Sequence, residues 1–90
     1  GDVRLYLLKQ PEHSAAAANP SGTRSYTRHW TPVHVDFVVA DLPAAVARAE
    51  RAGAIREGDP STWRGATHVT FADPFGHGFC LIAFRNGTYE

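Results

Sequence analysis

Val33-His34-Val35-Asp36-Phe37-Val38-Val39-Ala40 runs directly into Asp41-Leu42-Pro43-Ala44-Ala45-Val46-Ala47-Arg48, and the change of period between the two decides the fold. The first stretch is rich in β-branched residues and alternates, with Val35, Phe37 and Val39 on one face and His34, Asp36 and Val38 on the other, as a strand requires. The second repeats every three to four residues: Leu42, Ala45, Val46, Ala49 and Ala52 share one side of a helix. Asp41 supplies an N-cap, Pro43 sits in the first turn where its missing N–H costs nothing, and Gly53 is a natural left-handed terminator. A strand followed at once by a small-residue helix describes a β-α unit whose helix lies close on a sheet.

Downstream, Ala54-Ile55-Arg56 reads as a short strand, and Gly58-Asp59-Pro60-Ser61 as a turn or loop leading to Trp63-Arg64-Gly65. Ala66-Thr67-His68-Val69-Thr70-Phe71-Ala72 alternates again, Asp73-Pro74-Phe75-Gly76 makes a tight turn, and Gly78-Phe79-Cys80-Leu81-Ile82-Ala83-Phe84 completes a hairpin. Upstream, residues 3–8, Val3-Arg4-Leu5-Tyr6-Leu7-Leu8, alternate as a strand that Pro11 ends. Residues 11–31 shift to Ser, Ala, Asn, Pro, Gly and Thr and read as a flexible linker, in which Ala15 to Ala18 sustain at most one helical turn before Pro20 and Gly22. The expected fold is therefore α+β: a βαβββ module over residues 32–90 with a curved mixed sheet and one covering helix, preceded by an extra strand within residues 1–10 and a linker.

The chain has 90 residues, 43% of them hydrophobic and 20% charged, which is enough for one core and too little for two domains. Nine Lys and Arg balance nine Asp and Glu, for a formal net charge of zero. No overall field favours nucleic acid or an anionic membrane. The apolar runs are too short to cross a bilayer, and one cysteine, Cys80, cannot form an internal disulfide. The start of the sequence lacks the layout of a signal peptide, so a cytoplasmic location is expected.

If the helix covers the face carrying Val35, Phe37, Val39, Val69, Phe71, Phe79 and Leu81, then His34, Asp36, His68, Thr70 and Cys80 share the opposite face. Imidazole, thiol and carboxylate are the donor types of a metal site or an acid–base pair, and adjacent strands are only about 4.8 Å apart. Against that stands a plainer reading, in which these are ordinary hydrogen-bonding residues of a half-polar face and the thiol is a small hydrophobe. No short-range ligand motif is present to decide between them. His77 is expected to fix the turn before the last strand. Arg28-His29-Trp30 either recognises an acidic or aromatic ligand or packs the chain entry against a core.

Residues 32 to 84, through Pro32-Val33-His34-Val35-Asp36-Phe37-Val38-Val39-Ala40-Asp41-Leu42-Pro43-Ala44-Ala45-Val46, Ala52-Gly53-Ala54 and Phe71-Ala72-Asp73-Pro74-Phe75-Gly76-His77-Gly78-Phe79-Cys80-Leu81, resemble the glyoxalase/bleomycin-resistance/dioxygenase family, the vicinal oxygen chelate superfamily. Asp73 to Leu81 matches the small glyoxalase-like proteins whose last strand reads D-P-x-G-H-x-F-C-L. The resemblance implies paired βαβββ modules whose sheets enclose a ligand cavity, often with a divalent metal. It makes this chain similar to the second half of such a pair, with residues 3–8 standing for the last strand of a preceding module. A homodimer or a missing first module is then the expected partner.

In metal-dependent members of that superfamily, the resemblance places one ligand at His34 and a glutamate at the position of Cys80. His34 is thus the one metal candidate, and the thiol departs from the pattern, since carboxylate oxygen suits hard or borderline cations while thiolate selects softer ones. The leading expectation is a protein that binds a small organic ligand through His34, Asp36, His68, Thr70 and Cys80, without a tightly held metal and with no other cofactor. A metal-dependent lyase or dioxygenase, and a non-catalytic dimerisation module, are the alternatives.

Overall fold

A computed structural model describes residues 4–14, 22–30 and 33–85. The alanine run of the linker, with its expected helical turn, lies outside them. Six elements follow in order: β1 (Asp36–Val38), α1 (Leu42–Arg51), β2 (Ile55–Arg56), β3 (Ser61–Trp63), β4 (Ala66–Ala72) and β5 (Gly78–Phe84). They build one mixed, open sheet in the order β1-β5-β4-β2, with β3 also paired to β4. β1 is parallel to β5, and every other pairing is antiparallel. β2 and β3 lie against opposite ends of β4, Arg56 opposite Phe71 and Ser61 opposite His68, so together they act as one interrupted strand. This is the expected βαβββ module.

The helix forms where its sequence signals place it. Asp41 accepts a hydrogen bond from the Ala44 N–H at 3.1 Å, Pro43 occupies the first turn, and Arg48 and Arg51 stand in the last turn, where the helix dipole favours cations. Its apolar side lies on the sheet. Leu42, Val69, Phe71 and Leu81 form the buried cluster, with Val39, Ala45, Val46, Ala49, Phe79 and Ala83 packed around it. Phe71 is fully buried and stacks on Phe79 with ring centroids 5.5 Å apart. Burying such a ring contributes about 1.5–3 kcal/mol relative to leaving it in water.

Three expectations need correction. The first strand spans only Asp36–Val38, because only those residues face β5 across a continuous ladder, although Val39 N–H still donates to Ile82 O at 2.8 Å. Ser61–Trp63, read as loop, is a strand. It is made so by a two-residue turn in which Arg64 (φ 52°) and Gly65 (φ 74°) are both left-handed, the geometry that matches strand twist in a tight hairpin. The extra strand expected over residues 3–8 does not join the sheet. From Arg4 onward the segment has no ladder, and Leu5, Tyr6, Leu7 and Leu8 are exposed. An alternating segment becomes a strand only beside an edge that accepts its N–H and C=O groups, and residues 4–8 pair with no edge of this sheet.

Residues 22–30 form a strap along the start of β5. His29 makes a parallel bridge with His77, donating from its N–H to Gly76 O at 2.7 Å and accepting from Gly78 N–H at 2.9 Å. The turn it grips is closed by Asp73, whose Oδ1 accepts from the Phe75 and His77 N–H groups at 2.8 and 2.9 Å. Gly76 completes it with φ 81°, and a Cβ there would collide with the carbonyl oxygens of Tyr26 and Thr27 in the strap. No helix among the described residues is long and apolar enough to cross a membrane.

Gly76→Ala is therefore expected to cost more than about 2 kcal/mol, the left-handed penalty and the collision adding together. Gly58, at φ 93° with open space around it, carries the conformational penalty alone, about 1–2 kcal/mol. Urea denaturation of the two variants checks the difference.

Candidate functional site

The sheet face opposite α1 carries a row of three side chains fixed by register. Asp36 on β1 lies opposite Cys80 on β5, which lies opposite Thr70 on β4. Thr70 Oγ1 and Cys80 Sγ are 3.4 Å apart, in hydrogen-bond contact. His34, just before β1, folds back so that its Nε2 stands 3.0 Å from Asp36 Oδ1. One donor atom each from His34, Asp36 and Cys80 falls within 4.8 Å of the others. The imidazole and carboxylate are open to solvent while the thiol beneath them is buried.

Four of the five expected site residues are thus brought together: His34, Asp36, Thr70 and Cys80. His68 is on the same face but one row further along, opposite Ile82 and Ser61. Two residues of strand carry it about 6.7 Å away from the Thr70 position. Its ring meets Ser61 Oγ at 3.2 Å, so it belongs to the β3 edge and not to the cluster. His77 is held in its turn through its backbone, whose N–H donates to Asp73 Oδ1 and whose C=O accepts from the Asp73 N–H, and its ring stacks on His29 with centroids 5.5 Å apart.

The residues that hold this cluster from outside come from the strap. Trp30 lies against His34, ring centroids 4.6 Å apart, and over Gly78, where a Cβ would come within 2.6 Å of the indole and of the Arg28 guanidinium. The Arg28 guanidinium in turn lies 4.6 Å from the Trp30 ring centroid and grips Glu57 with two hydrogen bonds, 2.6 and 2.7 Å. Glu57 N–H donates to Thr70 O at 2.8 Å. The contacts therefore close a loop from Glu57 through Arg28, Trp30, His34, Asp36, Cys80 and Thr70 back to Glu57. The sequence marked Arg28 and Trp30 as a pair but gave no sign of Glu57, which stands 29 residues from Arg28 in the chain.

The donors do not suit the hard divalent ions that the superfamily resemblance implies. A thiol stands where carboxylate oxygen is needed, and the Asp36 carboxylate is already closed on the imidazole. A softer ion such as zinc would have to break that contact to use both groups. A separate hollow of about 850 Å³ lies between residues 6–10, the strap and the Asp73 turn, walled by Tyr6, Lys9, Tyr26, His29, Phe75 and His77, and none of the His34, Asp36 and Cys80 cluster lines it.

The hydrogen bonds from Arg28 hold the Glu57 carboxyl below its ordinary range, and those same bonds raise the guanidinium above its own. A carboxylate with a lowered folded-state pKa contributes stability that is fully present above its unfolded value and is lost as pH falls through the folded value. The stability gap between the wild type and Glu57→Gln is accordingly expected to hold at neutral pH and close as pH drops below the usual carboxylate range. Urea midpoints of both proteins between pH 7 and pH 3 measure it. Arg28 releases no proton over that window, so the change reports the protonation of Glu57.

Among curated proteins and among solved structures, nothing matches the chain. The family model described as a glyoxalase-like domain matches residues 1–82, taking in the N-terminal segment and strap as well as the module. With the fold, the Asp73 turn and the His34–Cys80 face already in place, that match over nearly the whole chain makes this protein a member of the glyoxalase-like domain family, within the glyoxalase/vicinal oxygen chelate superfamily.

Proposed function

We propose that this chain binds a small organic ligand against the open sheet face, oriented by His34, Asp36, Cys80 and Thr70, without a tightly held metal. The observation that carries the reading is the convergence of imidazole, carboxylate and thiol within 4.8 Å on the face that α1 leaves uncovered. Ligand sites are typically apolar cups with a few convergent polar groups. Here the row Val38, Ile82 and His68 and the ring of Trp30 supply walls beside the polar trio. One module offers only one wall, so the cavity is completed by a second module, from a homodimer or from a first module of a longer chain. Trp30 and Val38 are exposed beside the site, which suits burial against such a partner. A free thiol at the site suits a reducing, cytoplasmic setting.

The reading that competes is a lyase or dioxygenase in which a cation drawn in by His34 and its neighbours polarises substrate oxygens. What favours it is the same proximity of three donors. Elemental analysis of protein purified without chelator separates the two, together with solution mass by light scattering and calorimetry against aromatic and cationic metabolites. The expected result is a paired species with no stoichiometric metal and a ligand whose affinity falls roughly tenfold in His34→Ala, the worth of one charged or near-charged hydrogen bond. About one metal per chain, lost in His34→Ala, establishes the metal-dependent reading instead. A monomer that gives no heat with any compound removes the binding reading.

A further inference from the structure

We infer that Cys80 is a nucleophile, set beneath the His34–Asp36 pair to add to the electron-poor carbon of a small α,β-unsaturated carbonyl compound. This deepens the proposed binding function by naming the chemical class of ligand, and it rests on that face being the ligand site. Three different groups stand in the order that activates a thiol. His34 Nε2 stands 3.0 Å from Asp36 Oδ1, so the carboxylate sits beside the ring that is to take the thiol proton. Sγ lies within 4.8 Å of the chosen imidazole and carboxylate atoms. The Thr70 hydroxyl, 3.4 Å from Sγ on the β4 side, can donate to the sulfur as charge develops on it.

The surroundings complete the case. From the strap, the Arg28 guanidinium lies against Gly78, two residues along β5 from Cys80 on the same face. Its charge is favoured first by its hydrogen bonds to Glu57 and also by the fields of Glu57, Asp73 and Cys80. The charged and titratable groups around the thiol are therefore His34 and Asp36 from the β1 side and Arg28 from the strap, with Glu57 neutralising the outer side of Arg28. A sulfur nucleophile prefers soft carbon electrophiles, and the same softness is what makes this donor set a poor match for hard cations. Cys80 is 6% exposed, so an electrophile that reaches its sulfur must be slender.

The step balances without any further reagent. The His34 imidazole takes the Sγ proton, the sulfur pair forms a C–S bond at the β-carbon, and the C=C π pair moves onto the α-carbon and carbonyl oxygen. The imidazolium then returns the proton to the α-carbon. Thiol and alkene become one thioether, with no oxidant and no leaving group. Asp36 acts through His34 and is a positioning residue.

Acrylamide is a suitable probe, and Cys80, the one cysteine of the sequence, makes intact-mass labelling unambiguous. At pH 7 the folded chain is expected to react at least tenfold faster than the same chain unfolded in urea. His34→Ala and His34→Gln should each remove that advantage, and Asp36→Asn should reduce it three- to tenfold, with circular dichroism melts confirming that each variant is folded. Folded protein that reacts more slowly than unfolded protein marks a merely buried thiol and overturns the proposal without needing any variant. An unchanged rate in both His34 variants overturns it too, as does faster labelling after chelator treatment, which assigns the thiol to a metal. Labelling needs no reversible ligand. Fast labelling with no ligand bound defeats the binding reading alone, and slow labelling in a wild-type protein that binds a ligand by calorimetry defeats the nucleophile alone.

Discussion

Strand β5 pairs on both sides, parallel to β1 and antiparallel to β4, and the rest of the molecule hangs on that double pairing. It fixes which residues stand level across the sheet, because each ladder leaves a single register in which the Val69, Phe71 and Leu81 face meets α1. Slipping one residue would turn Phe71 and Leu81 to the open side and carry Cys80 and Thr70 into the core. The same register that buries the rings therefore lines up Asp36, Cys80 and Thr70, so packing on one face and chemistry on the other are set by one choice.

Much of the fold was legible because its signals are local. The Asp41 cap, the Pro43 first turn and the switch from alternation to helical spacing sit within a dozen consecutive residues, and α1 forms where they place it. The Asp73-Pro74-Phe75-Gly76 turn was equally readable, since an aspartate that accepts its own downstream N–H groups and a left-handed glycine are properties of those residues. Ser61–Trp63 was not readable: Pro60 before it and Arg64-Gly65 after it look like loop, and only pairing to β4 makes it a strand. Residues 4–8 show the reverse failure, alternation that pairs with no edge of the sheet.

The site divides in the same way. Alternation along three strands was enough to put Asp36, Thr70, Cys80 and His68 on one face, but not to say which rows they occupy. Row position depends on the β4–β5 register, which sets His68 level with Ile82 instead of Cys80. The bracing of His34 by Trp30, and of Trp30 by Arg28 and Glu57, was out of reach. Those partners come from a strap and a loop far apart in sequence, and nothing in the residue types near position 57 singles out one glutamate.

The helix covers one side of the sheet and contributes no side chain to the polar cluster, whose members come from β1, β4, β5 and the segment just before β1. Stability and chemistry are in this way stored on opposite surfaces of the same strands. Substitutions at Ala45, Val46 or Ala49 act on the packing between helix and sheet and touch no member of the cluster. His34 is the converse case, an exposed residue of the proposed ligand face that stands outside the buried cluster of Leu42, Val69, Phe71 and Leu81.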